Sequence, residues 1–147
     1  SLPLDLPSSA VGDLHTSLGD RSLLVHGDVV AAQDVQRCVA EAEKAFGYVD
    51  VMINNAGIQG PLGPAISYSE KAFLEVIDVN VRGVFLGLQA AAQSMLRSGR
   101  GGVILNLSSL AAARKPENMI AYNASKAAVE SITATAAKEL GPSAIRV

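Results

Sequence analysis

Two short apolar runs constrain the fold of this chain more than any other feature. Val49 to Ile53 (apolar but for Asp50) and Val103 to Leu107 (apolar but for Asn106) each have the length of a strand and lack regular alternation. Each opens at once into small or polar residues, Asn54-Asn55-Ala56-Gly57 in the first case and Ser108-Ser109 in the second. Strands of that kind belong to sheets covered on both faces, whose parallel neighbours are joined through helices. The intervening segments read accordingly. Ala31 to Phe46 repeats Val35, Cys38, Val39, Ala42 and Phe46 at helical spacing and stops at Gly47. A long helix is expected from about Ser69 to Arg97, followed by a Gly-rich turn at Gly99 to Gly102. Another runs from Ile120 to Leu140 and closes at Gly141-Pro142, after which Ala144 to Val147 begins a strand.

The beginning of the chain fits the same alternation. Ser1 to Leu6 reads as the end of a strand turning at Pro7. Ser8 or Ser9 then caps a short helix carrying Val11, Leu14 and Leu18, and Ser22 to His26 forms a short β-rich run ending at Gly27-Asp28. The expected class is α/β, a parallel sheet flanked by helices, in which ligands sit at the C-terminal ends of the strands. Asp5, Asp28, Asn54 and Ser109 fall at those ends.

Composition narrows what such a sheet is for. With 147 residues the chain makes one domain, residues 1–147, with a hydrophobic core. A net charge of −2, no Trp and only three Phe and three Tyr offer neither a basic surface nor stacking platforms, so no nucleic-acid role is expected. No stretch has the length of a membrane span, and the N-terminus carries no charged leader, so the expected compartment is the cytoplasm, with no membrane partner. Cys38 has no partner cysteine and reads as a small buried apolar residue; Cys/His metal spacings are absent.

Tyr122 and Lys126 lie four apart on one expected helix, so they project from the same face one turn apart. A free phenol is a poor acid or base at neutral pH, and a neighbouring ammonium stabilises its phenolate. Lys follows a Tyr at this spacing by chance about 5% of the time, so the pair draws its weight from its company. Ser109 stands thirteen residues earlier at the mouth of a strand, placed to bind a carbonyl oxygen, although a turn or helix-cap serine also belongs there. Asn80 is a poor helix former inside a long helix. Its neighbours Val79, Val81 and Val84 point to a partly buried, paired amide.

These residues together resemble the short-chain dehydrogenases/reductases. The resemblance rests on four ordered motifs: Asn54-Asn55-Ala56-Gly57 after the fourth strand, Asn80 within Asp78-Val79-Asn80, Ser109 after the fifth strand, and Tyr122-x-x-x-Lys126. The motifs run from Asn54 to Lys126, and order and spacing agree with the family across about 120 residues of the chain. The resemblance implies a Rossmann-type, doubly wound parallel sheet with helices on both faces. It implies a nicotinamide-dependent oxidoreductase interconverting a secondary alcohol and a ketone without a metal. Tyr122 would be the general acid and base. Lys126 would stabilise the phenolate and hydrogen-bond the nicotinamide ribose, Ser109 would orient the substrate oxygen, and Asn80 would hold a water linking Lys126 to solvent. Asn54, Ala56 and Gly57 would line the ribose region of the cofactor, and Asp28 with Val29 would meet the adenine.

Asp5, twenty-three residues before Asp28, fits the acidic residue that hydrogen-bonds the adenosine ribose 2′-hydroxyl, unless it caps a helix. A carboxylate there would repel a 2′-phosphate, so NAD is expected rather than NADP. The loops Gln59 to Ser67 and Leu110 to Met119 would border the substrate, offering Leu62, Leu110 and Met119. That favours a neutral, partly apolar alcohol or ketone. The family's usual tetramer, or a dimer, is expected, with Val84-Phe85-Leu86 and Ala127 to Ala137 available for packing. The sequence also departs from the family. Its first strand and glycine-rich phosphate turn are not among these residues, and the sixth strand is cut at Arg146-Val147. An incomplete domain is therefore expected, because leaving out the first strand would open a slot of about 10 Å in the sheet. The competing reading is a non-catalytic fragment serving as a binding or scaffold subunit.

Overall fold

A computed structural model describes Asp13 and residues 15–147. The opening strand, the Pro7 turn, the start of the first helix and Asp5 lie outside those residues.

Among the described residues, three strands form one parallel sheet: β1 (Val51–Asn54), β2 (Gly102–Asn106) and β3 (Ile145–Arg146), adjacent in that order. Asn54 pairs with Asn106, and Gly102 pairs with Ile145. Helix α1 (Ala32–Phe46) precedes β1. The crossover to β2 is α2 (Glu70–Ile77), a π-helical turn (Asp78–Arg82) and α3 (Gly83–Ser98). The crossover to β3 contains the short α4 (Ala111–Arg114) and then α5 (Ile120–Leu140). This is the expected α/β, Rossmann-type arrangement, and the long helices begin and end within a residue or two of where their sequence signals lie.

The signals act through named contacts. The Ser69 hydroxyl accepts from Ala72 N at 3.4 Å, satisfying one of the free donors at the start of α2. Gly99 takes the left-handed conformation (φ 67°) that ends α3, donating to the carbonyls of Met95 and Leu96. Gly101 is also left-handed, and a Cβ there would strike the Ala144 carbonyl, so the turn into β2 admits little else. The main core joins Leu88, Ala91, Ala92 and Met95 of α3 to Ile104 of β2, Ala136 of α5 and Ile145 of β3. A second cluster packs Val35 and Val39 of α1 on Ala90.

Four expectations change. The long helix is not uniformly α-helical, because the π turn interrupts it at Asn80. Among the described residues, α1, α3 and α5 all lie on one face of the sheet. Met52 and Ile104 face that core, whereas Val51, Ile53 and Leu105 on the opposite face are 52%, 57% and 47% exposed. Ser22 to His26 forms no strand. A strand is made by its ladder, and among the described residues β1 pairs on one edge only, with β2. The run is held instead by Ser22, hydrogen-bonded to His15 Nδ1 at 2.7 Å, and by Arg37, which donates to the His26 carbonyl at 2.9 Å. Finally, Cys38 is exposed rather than buried. It sits about 100° around the helix from Val39, at the margin of a core stripe centred on Val35 and Val39.

Between α1 and α3, Glu43 accepts from the buried Ser94 hydroxyl at 2.6 Å and from Arg97 at 3.0 and 3.2 Å. The Ser94 bond first, then Arg97, hold its carboxyl below the usual glutamate range, against the opposing effect of burial. A carboxyl whose folded pKa is depressed contributes stability above its unfolded value and loses it as pH falls through the folded one. Replacing Glu43 with Gln should therefore cost the intact protein about 1 kcal/mol at pH 7. Urea unfolding should show the cost shrinking between pH 5 and pH 3. An equal cost at both ends would show that the carboxylate charge contributes nothing.

Candidate active site

Helix α5 carries Tyr122 in its first turn and Lys126 one turn later. Lys126 is 5% exposed, and its ammonium donates to the Leu107 carbonyl, just past β2, at 2.7 Å. The Nζ lies 5.7 Å from the centre of the Tyr122 ring, near the outer limit of a cation–π contact. Burial lowers the pKa of Lys126, because removing the ammonium from water disfavours its charged form. One of its three N–H donors is used by Leu107, which leaves donors for other partners.

Ser109 lies between β2 and α4. Its hydroxyl oxygen accepts from Ala111 N at 3.2 Å, and its carbonyl accepts from Ala112 N at 3.0 Å. The helix-heading role noted for this serine is thus present, and it uses an oxygen lone pair while leaving the hydroxyl proton free to donate. Next to it, the Ser108 hydroxyl has two acceptors on α5: the Lys126 carbonyl at 3.2 Å and Glu130 at 3.0 Å. The strand end and α5 are therefore tied at both Leu107 and Ser108.

Asn80 is fully buried within the π turn. Its Oδ1 accepts from Ile58 N at 2.7 Å, while its Nδ2 donates to the Ile58 carbonyl at 2.8 Å and to the Ser125 hydroxyl at 2.9 Å. The expectation of a paired, buried amide is met, and a π turn is a common feature of functional helices. Gly57 lies between this amide and the lysine. A Cβ on it would stand 3.3 Å from Asn80 Oδ1 and 3.6 Å from Lys126 Nζ.

The remaining candidates gather at the end of β1. Asn54 donates to Asn106 Oδ1 at 2.8 Å, and Asn106 donates to the Thr133 hydroxyl on α5 at 2.9 Å, so the two strand ends are joined through side chains. Val29, Asn54, Ala56 and Gly83 line one small cleft of roughly 100 Å³. Asp28 is exposed beside it; its carboxylate accepts from Val30 N at 3.0 Å and its own N–H donates to Asp34 at 2.9 Å. The larger cavity, about 380 Å³, opens between the two bordering loops and α5 and is lined by Met119, Asn123, Ala124 and Ala127. Those helix positions lie 100–200° around α5 from Tyr122, so this cavity is separate from the Tyr122–Lys126 face. The two loops are joined to each other, with Gly63 N donating to the Asn118 carbonyl at 3.0 Å.

Several residues that shape this region have no role assigned from the sequence: Ile58, Asn106, Ser125, Thr133 and Gly87. For Ser125 the signal is its place on α5, three residues past Tyr122. For Gly87 it is the four-residue spacing from Gly83, which clears one face of α3.

Small residues around Gly57, donors left on Lys126, and a cleft at the strand ends suit a flat, hydroxyl-rich nucleotide. Beside it, one face of α5 presents half-buried Tyr122 one turn before buried Lys126. The family model described as short chain dehydrogenase matches residues 5–147, and the chain belongs to that family. It is 42% identical over 123 residues to (+)-borneol dehydrogenase 2 of Salvia officinalis, covering 83% of this chain and 43% of that protein. It is 39% identical over 130 residues to a 3-alpha-(or 20-beta)-hydroxysteroid dehydrogenase of Mycobacterium bovis, covering 88% and 49%. Among solved structures, 3-ketoacyl-(acyl-carrier-protein) reductase from Brucella melitensis, complexed with NADH, superposes with a TM-score of 0.89 at 35% identity, covering 96% of this chain and 60% of that one. The chain spans about half the length of the curated relatives it matches. Among the described residues no helix is long and apolar enough to cross a membrane.

Gly87 gives a sharp test of the strand-end network. Glycine inside a helix usually costs about 1 kcal/mol relative to Ala. Here a Cβ would collide with Asn54 Oδ1 and stand 3.0 Å from the Met52 methyl. Gly87→Ala should therefore lower the unfolding free energy of the intact protein by about 1–3 kcal/mol. Thermal or urea unfolding showing a gain instead would mean that Asn54 is free to move aside.

Proposed function

We propose that the intact protein is an NAD(H)-dependent oxidoreductase that interconverts a secondary alcohol and a ketone, with Tyr122 as its general acid and base. The observation that carries this reading is the buried Lys126 ammonium, fixed by Leu107 beside the Tyr122 ring, with the bare Cα of Gly57 leaving room next to both it and Asn80.

The nicotinamide dinucleotide, when bound, supplies the hydride acceptor for alcohol oxidation and the donor for ketone reduction. Tyr122 takes the hydroxyl proton in oxidation and returns it to the carbonyl oxygen in reduction. Lys126 stabilises the phenolate through its positive charge and offers its remaining N–H donors to the nicotinamide ribose hydroxyls. An amine whose charged form is disfavoured by burial gives up a proton more readily than a solvated lysine, which suits a relay. Asn80 holds the water that continues this relay to solvent. The free hydroxyl proton of Ser109 binds the substrate oxygen and polarises it. Asn54, Ala56 and Gly57 hold the ribose region of the cofactor, and Asp28 with Val29 meets the adenine.

The preference for NAD over NADP rests on the sequence position of Asp5. The substrate reading, a neutral and partly apolar alcohol, draws support from Leu62 and Leu110, which are 64% and 70% exposed on the bordering loops. Residues 1–147 are read as part of a single domain of a cytoplasmic homotetramer or dimer. Half-exposed Phe85 and Leu96 on α3 offer apolar surface for that assembly.

Tyr122→Phe in the intact enzyme should lower kcat for alcohol oxidation by roughly 100-fold or more, the usual range for losing a general base, with little change in NAD affinity. Wild-type turnover would remove Tyr122 from the chemistry. Steady-state comparison of the two cofactors should favour NAD+ over NADP+ by at least about tenfold in kcat/KM. The reverse preference would overturn the role given to Asp5.

A further inference from the structure

Ser125 sits between Tyr122 and Lys126 on α5, yet no step of the proposed chemistry uses it. Its side chain is fully buried, and its hydroxyl has two partners. It donates to the Tyr122 carbonyl at 2.8 Å and accepts from Asn80 Nδ2 at 2.9 Å. Through Asn80 the same chain of hydrogen bonds reaches both the N–H and the carbonyl of Ile58, one residue past Gly57. A single hydroxyl thus joins the backbone of the catalytic helix to the π turn and, beyond it, to the loop leaving β1.

We propose that Ser125 is a positioning residue: it registers α5 against the π turn, so that Tyr122 and Lys126 stand at a fixed place relative to Asn80 and Gly57. The inference rests on the reading of Tyr122 and Lys126 given above. Its physical basis is local. A helix held only by apolar packing can slide or rotate slightly, because dispersion contacts are weakly directional. The directional bond from Asn80 to the Ser125 hydroxyl, which is itself oriented by donating to the Tyr122 carbonyl within α5, removes that freedom where misplacement matters most, between the tyrosine and the lysine. The amide of Asn80 needs Ser125 in return. Both of its Nδ2 bonds are inside the protein, so losing the hydroxyl leaves a buried donor half satisfied and frees the amide to turn. The charged groups flanking Asn80, Asp78 and Arg82, pair with each other at 3.8 Å and are both half exposed, and Glu130 is engaged by Ser108. The node itself is uncharged.

The test is a double-mutant cycle in the intact enzyme, assayed on whichever secondary alcohol it oxidises fastest in a panel. Ser125→Ala keeps the volume and removes both bonds. It should lower kcat about tenfold, equivalent to ~1.4 kcal/mol, with KM for NAD+ within about twofold. Asn80→Ala should cost less in the Ser125→Ala background than in the wild type, because the two residues act through one bond. If Ser125→Ala does not fold, Ser125→Cys, which keeps a weak donor in the same space, takes its place in the cycle, with a smaller loss expected. An unchanged kcat in the folded protein, a loss seen only in KM, or strictly additive single effects would each overturn the proposal. Tyr122→Phe run in parallel separates the two levels. If it is silent, the underlying reading fails; if it is inactive while Ser125→Ala turns over normally, only the positioning role fails.

Discussion

The amide of Asn80 is the contact on which the site depends. It is fully buried, and an amide in that position destabilises the protein by a few kcal/mol unless its donors and acceptor are matched. It is matched by three partners on two separate segments, the backbone of Ile58 on the loop after β1 and the hydroxyl of Ser125 on α5. The two segments are distant from Asn80 and from each other in sequence, so the amide can be satisfied only when the crossover helix, the loop and α5 are all in place. The π turn follows from the same requirement. A regular α-helix places every side chain at fixed 100° steps, and an extra residue in one turn allows one polar side chain to be aimed independently of the apolar stripes on either side.

A second set of contacts repeats this logic at the strand ends. Leu107 donates its N–H to the Asn54 carbonyl at 3.2 Å and offers its own carbonyl to Lys126. The ladder between β1 and β2 therefore continues into the lysine, and the position of that ammonium is inherited from sheet register. Asn54, Asn106 and Thr133 carry the register onward to α5 in a line of side-chain bonds. Slipping the β1–β2 pairing by one residue would reverse which side chains face α3 and α5, breaking this line and moving Leu107 together.

What was legible in the sequence is what is decided locally. The apolar runs locate β1 and β2 to within two residues, and the Gly and Pro signals locate α5 at Ile120–Leu140. Cap and turn chemistry acts within three or four residues, so it can be read without the rest of the fold. Asn80 was legible for a related reason: a poor helix former among valines calls for a partner. The identity of that partner was not, because Ser125 lies forty-five residues away in sequence. Ser22 to His26 and Cys38 were misread for the same underlying reason. The first needs a neighbouring strand to become one, and the second depends on where the edge of a helix–helix contact falls, a matter of a single 100° step.

This division between local and distant determinants has a consequence for specificity. Every group in the proposed reaction hangs from the paired frame of strand ends, π turn and α5, where Asn54, Asn80, Ser125 and Lys126 are all buried. The side chains that would meet the substrate, Leu62 and Leu110, are mostly exposed on loops that make few bonds to that frame. A change of size or polarity there alters an exposed side chain without disturbing a buried hydrogen bond. A change at Asn80 or Gly87 meets several tight contacts at once. The proposed chemistry would thus be held rigid by groups far apart in sequence, while the proposed substrate surface would be free to vary one residue at a time.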